Sequence, residues 1–150
     1  MAILQIVKEG DPTLRKTSRP VEEITPRILR LLDDMADTMH DANGCGLAAV
    51  QVGVLRRVVV IEVEEGELIE LINPRIVAFS GEQQESEGCL SIPDRFGVTR
   101  RPRSVTVRAM DRTGVEREIT GSDLLARALC HEIDHLDGKL FIDKMIKEVR

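Results

Sequence analysis

Apolar residues recur at helical spacing through Ile28, Leu31, Leu32, Met35 and Met39, behind Thr25-Pro26, which reads as an N-cap followed by a proline in the first turn. The pattern predicts an amphipathic helix of about four turns. It should stop near Asn43-Gly44, where glycine tolerates the left-handed conformation that ends helices. The texture then changes to β: Arg57 to Val63, Glu67 to Asn73 and Ile76 to Phe79 are rich in valine and isoleucine and are broken by Glu65-Gly66 and Asn73-Pro74. Ser104 to Met110 and Val115 to Ile119 flank Asp111-Arg112-Thr113-Gly114, a hairpin loop. Gly121-Ser122-Asp123 opens a second helix ending at Gly138. A helix, mostly antiparallel strands and a helix make an α+β fold.

The chain has 150 residues and 42% hydrophobic content, ample for one core, so a single domain over residues 1–150 is expected. Three Phe with no Trp or Tyr leave no stacking platform for single-stranded nucleic acid, and a net charge of -5 argues against a nucleic-acid sleeve. Arg100, Arg101, Arg103 and Arg108 read as alternating charges on a solvated strand rather than a binding patch. The apolar run at the N-terminus is too short for a signal segment and no run approaches a membrane span, so a cytoplasmic location is expected. Three cysteines, an odd set without a secretion signal, favour metal or thiol chemistry over a disulfide framework.

The chemistry concentrates in the second helix. His131 and His135 in His131-Glu132-Ile133-Asp134-His135 project from one face and can grip a single metal ion, with Glu132 placed to serve a water on that ion. Leu124 and Ala128 share this face, so they should line a pocket beside the metal, with Arg127 near its rim. Leu125, Leu129, Ile133 and Leu136 fall on the other side and should dock into the core. Cys130 points roughly 100° away from the ligand beside it and reads as packing. Asp134 and Asp137 read as solvated.

Upstream, Glu87-Gly88-Cys89-Leu90-Ser91 offers a soft third ligand that leaves one coordination position open. Gly88, Ser91 and Pro93 mark an irregular, tightly specified turn there. Gly44-Cys45-Gly46-Leu47-Ala48-Ala49-Val50-Gln51 supplies small residues and an amide, and taken alone reads equally as a packing turn or a functional loop.

Together, Gly44 to Gln51, Glu87 to Ser91 and His131 to His135 resemble, in order and spacing, the three motifs of peptide deformylase. The similarity continues through Arg101-Pro102, Asp111 and Gly114, Ala126-Arg127 and the tail from Leu136 to Asp143. The resemblance implies an α+β fold with antiparallel sheets packed around the C-terminal ligand helix, and removal of the formyl group from N-formylmethionyl nascent polypeptides, with formate as product. It implies Cys89, His131 and His135 as ligands of one divalent ion, ferrous iron first, with nickel, cobalt or zinc able to occupy the site. Glu132 would be the general base and acid, while Gln51 and the backbone N–H of Leu90 would hold the formyl oxygen. The substrate would lie extended against backbone near Cys45 and Gly46, with its Met side chain among Leu124, Arg127 and Ala128.

Val50 stands where the family commonly has Pro or Thr, and Cys130 where it usually has Gln. The chain ends soon after His135, so the longer C-terminal helix by which some members dock on the ribosome is expected to be absent, leaving transient ribosome proximity. Two rival readings are an internal-cleaving metallopeptidase with the same helix motif and a metal-stabilised binding module without catalysis. The thiolate ligand and short chain weigh against the first, and Glu132 with Gln51 against the second, because a structural metal needs neither.

Overall fold

The computed structural model describes residues 2–149. Its first helix, α1 (Pro26–Asp41), begins as predicted, with Thr25 Oγ1 accepting from the Ile28 N–H at 3.4 Å. It buries Ile28, Leu32, Met35, Ala36 and Met39. The helix end differs from expectation. Asn43, at φ 58°, takes the left-handed conformation, while Gly44 is small for another reason, since a Cβ there would sit 2.6 Å from Leu90 Cδ1.

Five antiparallel strands form the larger sheet, β1 (Gly46–Ala48), β2 (Val58–Ile61), β3 (Ile69–Ser80), β6 (Ser104–Met110) and β7 (Glu116–Ser122), in the order β1-β2-β3-β6-β7. The three strands β4 (Gln83–Cys89), β5 (Ile92–Arg101) and β8 (Met145–Val149) form a second sheet in the order β4-β5-β8. The second helix, α2 (Leu124–Leu136), packs on the larger sheet, so the α+β class holds. Among the described residues no helix is long and apolar enough to cross a membrane.

Three boundaries depart from the sequence reading. Asn73-Pro74 does not divide two strands: β3 runs through it by a register shift between Ile72 and Arg75 in its pairing with β6. Asn73 absorbs the irregularity at φ 55°, and a bulge is one of the few places where a sheet tolerates proline. Its side chain also exchanges two 2.8 Å hydrogen bonds with the Val21 backbone, tying down the segment before α1. The hairpin loop at Asp111–Gly114 is as expected, but its second strand continues to Ser122, so Gly121 and Ser122 lie in β7 and not at a helix start. Asp123 precedes α2 at φ 54° without capping it, its carboxylate pairing instead with Arg103 at 2.9 Å.

The core explains why β2 is buried along its whole length. Val58 and Val60 face α1, packing with Leu32, Met35 and Met39, while Val59 and Ile61 face α2, packing with Leu129, Ile133 and Leu136. A strand covered on both faces alternates between two apolar layers rather than between core and water. Two helices thus clamp the β1–β2–β3 portion. The outer edge of β1 stays uncovered by any strand, because β1 is the first strand of its sheet.

Candidate metal centre

α2 presents His131 and His135 one turn apart, with ring centroids 5.0 Å from each other. Cys89 ends β4, immediately before the tight turn Leu90-Ser91 that leads into β5, and its Sγ lies 3.4 Å from His135 Nε2. One potential ligand atom from each of Cys89, His131 and His135 falls within 4.8 Å of the others. Two ligands each roughly 2.0 to 2.3 Å from one ion stand about 3.5 Å apart, so the spacing fits a shared divalent ion. The chemistry of the donor set fits as well, a soft thiolate with two imidazoles suiting a transition metal or zinc. Burial and the neighbouring His131 hold His135 well below its ordinary pKa, in the neutral form that ligates.

A second layer of charge fixes this geometry. Glu87 Oε1 lies 2.9 Å from His131 Nδ1, which leaves Nε2 directed at the donor set. Arg101 grips the same carboxylate through Nε at 2.9 Å and Nη2 at 3.0 Å, and Thr99 donates to it as well. Arg101 Nη1 then reaches Asp134 Oδ2 at 2.6 Å, and Lys144 Nζ reaches Asp134 Oδ1 at 3.1 Å. Burial alone would raise the Glu87 pKa, but hydrogen bonds from His131 and Arg101 bring it down to about 2.

Two sequence expectations fail here. Arg101 is 4% exposed, far from solvated, while Arg100, Arg103 and Arg108 do sit at the surface with carboxylate partners. Asp134 is an ion-pair partner rather than a solvated group. Strand alternation was the missed signal, since Thr99 and Arg101 share the inward face of β5.

Glu132 lies beside the donor set, buried, with its Oε2 4.0 Å from His131 Nε2 and its Oε1 lacking any hydrogen-bond partner among the described residues. Burial raises its pKa to about 7 despite the nearby His131 charge. The space it occupies depends on Gly46, where a Cβ would come within 2.5 Å of Glu132 Oε2. Gln51 sits on a short 3-10 turn after β1. Its Oε1 accepts from the Ala48 N–H at 3.0 Å, which aims Nε2 at Ser91 Oγ, 3.0 Å away, and at Cys89 Sγ, 3.6 Å away. The Leu90 N–H has no acceptor among the described residues.

Cys45, Gly46, Gln51, Cys89, Leu90, Leu124, Arg127, Ala128, His131 and Glu132 all border one cleft of about 480 Å³. His135 lies deeper. Leu124 is partly exposed at the cleft, whereas Ala128 both borders it and packs in the core with Leu129 and Ile133. Sequence reasoning missed Phe96, which reaches the cleft from β5 because Gly88 has no side chain: a Cβ there would stand 2.7 Å from the Phe96 ring. Cys130 is buried against the core, and burial pushes its thiol up to about 11. Cys45 is exposed.

A profile of the polypeptide deformylase family matches residues 3–150. The peptide deformylase of Caldanaerobacter subterraneus subsp. tengcongensis is 61% identical over 147 residues, covering 98% of this chain and 92% of the relative. That of Alkaliphilus metalliredigens is 57% identical over 148 residues, 99% of this chain and 100% of the relative. The crystal structure of peptide deformylase from Ehrlichia chaffeensis in complex with actinonin superimposes with a TM-score of 0.94 at 42% identity, covering 97% of this chain and 90% of that one. The Thermotoga maritima enzyme gives 0.93 at 34% identity, with 97% and 99% covered. From the profile and these relatives together, the chain belongs to the polypeptide deformylase family.

Proposed function

We propose that Cys89, His131 and His135 hold one divalent ion, ferrous iron first and nickel, cobalt or zinc as substitutes, and that Glu132 moves the protons of the family's reaction. That reaction is hydrolytic removal of the formyl group from the N-terminal formylmethionine of nascent polypeptides. The observation that carries the assignment is a buried carboxylate with a partnerless oxygen placed against a thiolate and two imidazoles. A divalent ion there supplies Lewis acidity, lowering the pKa of water from about 15.7 to near 7 and polarising a carbonyl oxygen.

Each side chain then has a step. The peptide lies extended along the outer edge of β1. Cys45 already gives its C=O to Glu62 N, and Ala48 its N–H to Gln51, so by alternation the backbone groups of Gly46 face the incoming strand. The methionine side chain enters the cleft beside Leu124 and Ala128, with Cys45 and Arg127 at its mouth. Glu132 accepts a proton as the water oxygen bonds to the formyl carbon, then returns it to the amine nitrogen as the C–N bond breaks. Formate and a free N-terminus leave. Gln51 Nε2 and the Leu90 N–H donate to the carbonyl oxygen as it gains negative charge.

One catalytic unit of this kind works in the cytoplasm, meeting nascent chains near the ribosome only transiently. The test is anaerobic purification with elemental analysis, followed by assay of formate release from a formyl-Met peptide. One ion per chain and formate release without internal cleavage are expected. A chain without bound metal, or one that cuts internal bonds, overturns the assignment.

A further inference from the structure

Arg127 carries the positive charge of the cleft wall, and no carboxylate pairs with it among the described residues. It is held nonetheless. Its Nη1 donates to Gln83 Oε1 at 2.8 Å, and Gln83, itself buried, is anchored by donating from Nε2 to the carbonyls of Pro102 and Asp123, each at 2.9 Å. A neutral amide thus fixes the guanidinium without neutralising it. Arg127 and Cys45, which belongs to the segment entering β1, border the same cleft, so the guanidinium stands beside the space where the peptide lies.

We infer that Arg127 is a specificity-determining residue that draws an acidic side chain on the formylated peptide, at the third residue. The placement rests on the proposed function, with the peptide extended along β1. Side chains of an extended strand alternate, so when methionine points toward Leu124 and Ala128 the second residue points away. The third returns to the α2 side about 7 Å farther along. There an arginine held at the cleft mouth meets it. A carboxylate gains an ion pair, an amide does not, and an ammonium is repelled.

The test uses the metal-loaded enzyme and three peptides, formyl-Met-Ala-Glu-Ser, formyl-Met-Ala-Gln-Ser and formyl-Met-Ala-Lys-Ser. All carry C-terminal amides, so no terminal carboxylate competes. The Glu peptide should exceed the Gln peptide in kcat/KM by about threefold and the Lys peptide by roughly tenfold, the scale of a partly exposed charge pair. The difference should lie in KM, because the contact is made equally in ground and transition states, and should shrink with added salt. In Arg127→Met, whose side chain keeps the apolar stem, the three rates should converge. Equal rates in the parent enzyme, or a preference that survives Arg127→Met, overturn the inference. No formate from any of the peptides would instead overturn the deformylase assignment of the site.

Discussion

Glu87 Oε1 and His131 Nδ1 stand 2.9 Å apart, a contact that joins β4 to α2 and decides which imidazole nitrogen faces the donor set. Glu87→Gln keeps the shape but replaces the charged acceptor with a neutral amide. Losing an orienting partner of this kind typically weakens metal affinity about 10- to 100-fold. Competition with a chromophoric chelator measures it, and unchanged affinity would show that His131 is oriented by packing alone.

Glu132→Gln should keep the ion and lose most hydrolysis, by roughly 10² to 10⁴ in rate, because the amide preserves volume while removing the proton carrier. Metal content by elemental analysis and formate release should be measured on the same sample. Near-parent activity in a fully loaded variant would refute the role. By contrast, His131→Ala or His135→Ala should release the ion, and stoichiometric retention by either would refute its place among the ligands.

At Gly46 the smallest change is informative. A methyl group would come within 2.5 Å of Glu132 Oε2, so Gly46→Ala must displace either the carboxylate or the β1 edge. A misplaced catalytic group costs on the order of 10²-fold. We expect turnover to fall by about that factor while the metal stays bound. Full activity would show that the carboxylate has room to move and works elsewhere.

Air gives a fourth comparison. If ferrous iron occupies the site, oxygen can oxidise the iron or drive the Cys89 sulfur toward sulfenic and sulfonic acids. Activity should decay aerobically, while a nickel-loaded sample should persist far longer. Mass spectrometry of Cys89 in both samples checks it. Equal decay with Cys89 unmodified would rule out chemistry at this centre.

The legible parts of the chain were those where apolar spacing or chemical type repeats. α1 shows both its stripe and its cap, and the paired histidines need only a four-residue spacing to share a face. The small sheet was illegible for a physical reason. Its inward positions include Gln83, which bonds to backbone carbonyls, and Glu87, Thr99 and Arg101, which satisfy one another, so no hydrophobic alternation marks β4 or β5. Charge pairing does there what apolar burial does in β2. The break read at Asn73-Pro74 failed similarly, because one asparagine with positive φ lets the strand carry proline through a bulge.

The proposed ligands come from two separately built halves, Cys89 from the three-stranded sheet and both histidines from the helix laid on the five-stranded one. An ion held by all three would close a cross-link between chain segments more than forty residues apart, in the manner of a rivet. Bound ion stabilises the folded state by RT ln(1 + [M]/Kd), about 4 kcal/mol at a thousandfold excess over Kd. Removal by a chelator should accordingly lower the melting temperature, and the amides of β4 and β5 should be the first to gain hydrogen exchange, ahead of β2 between its two helices.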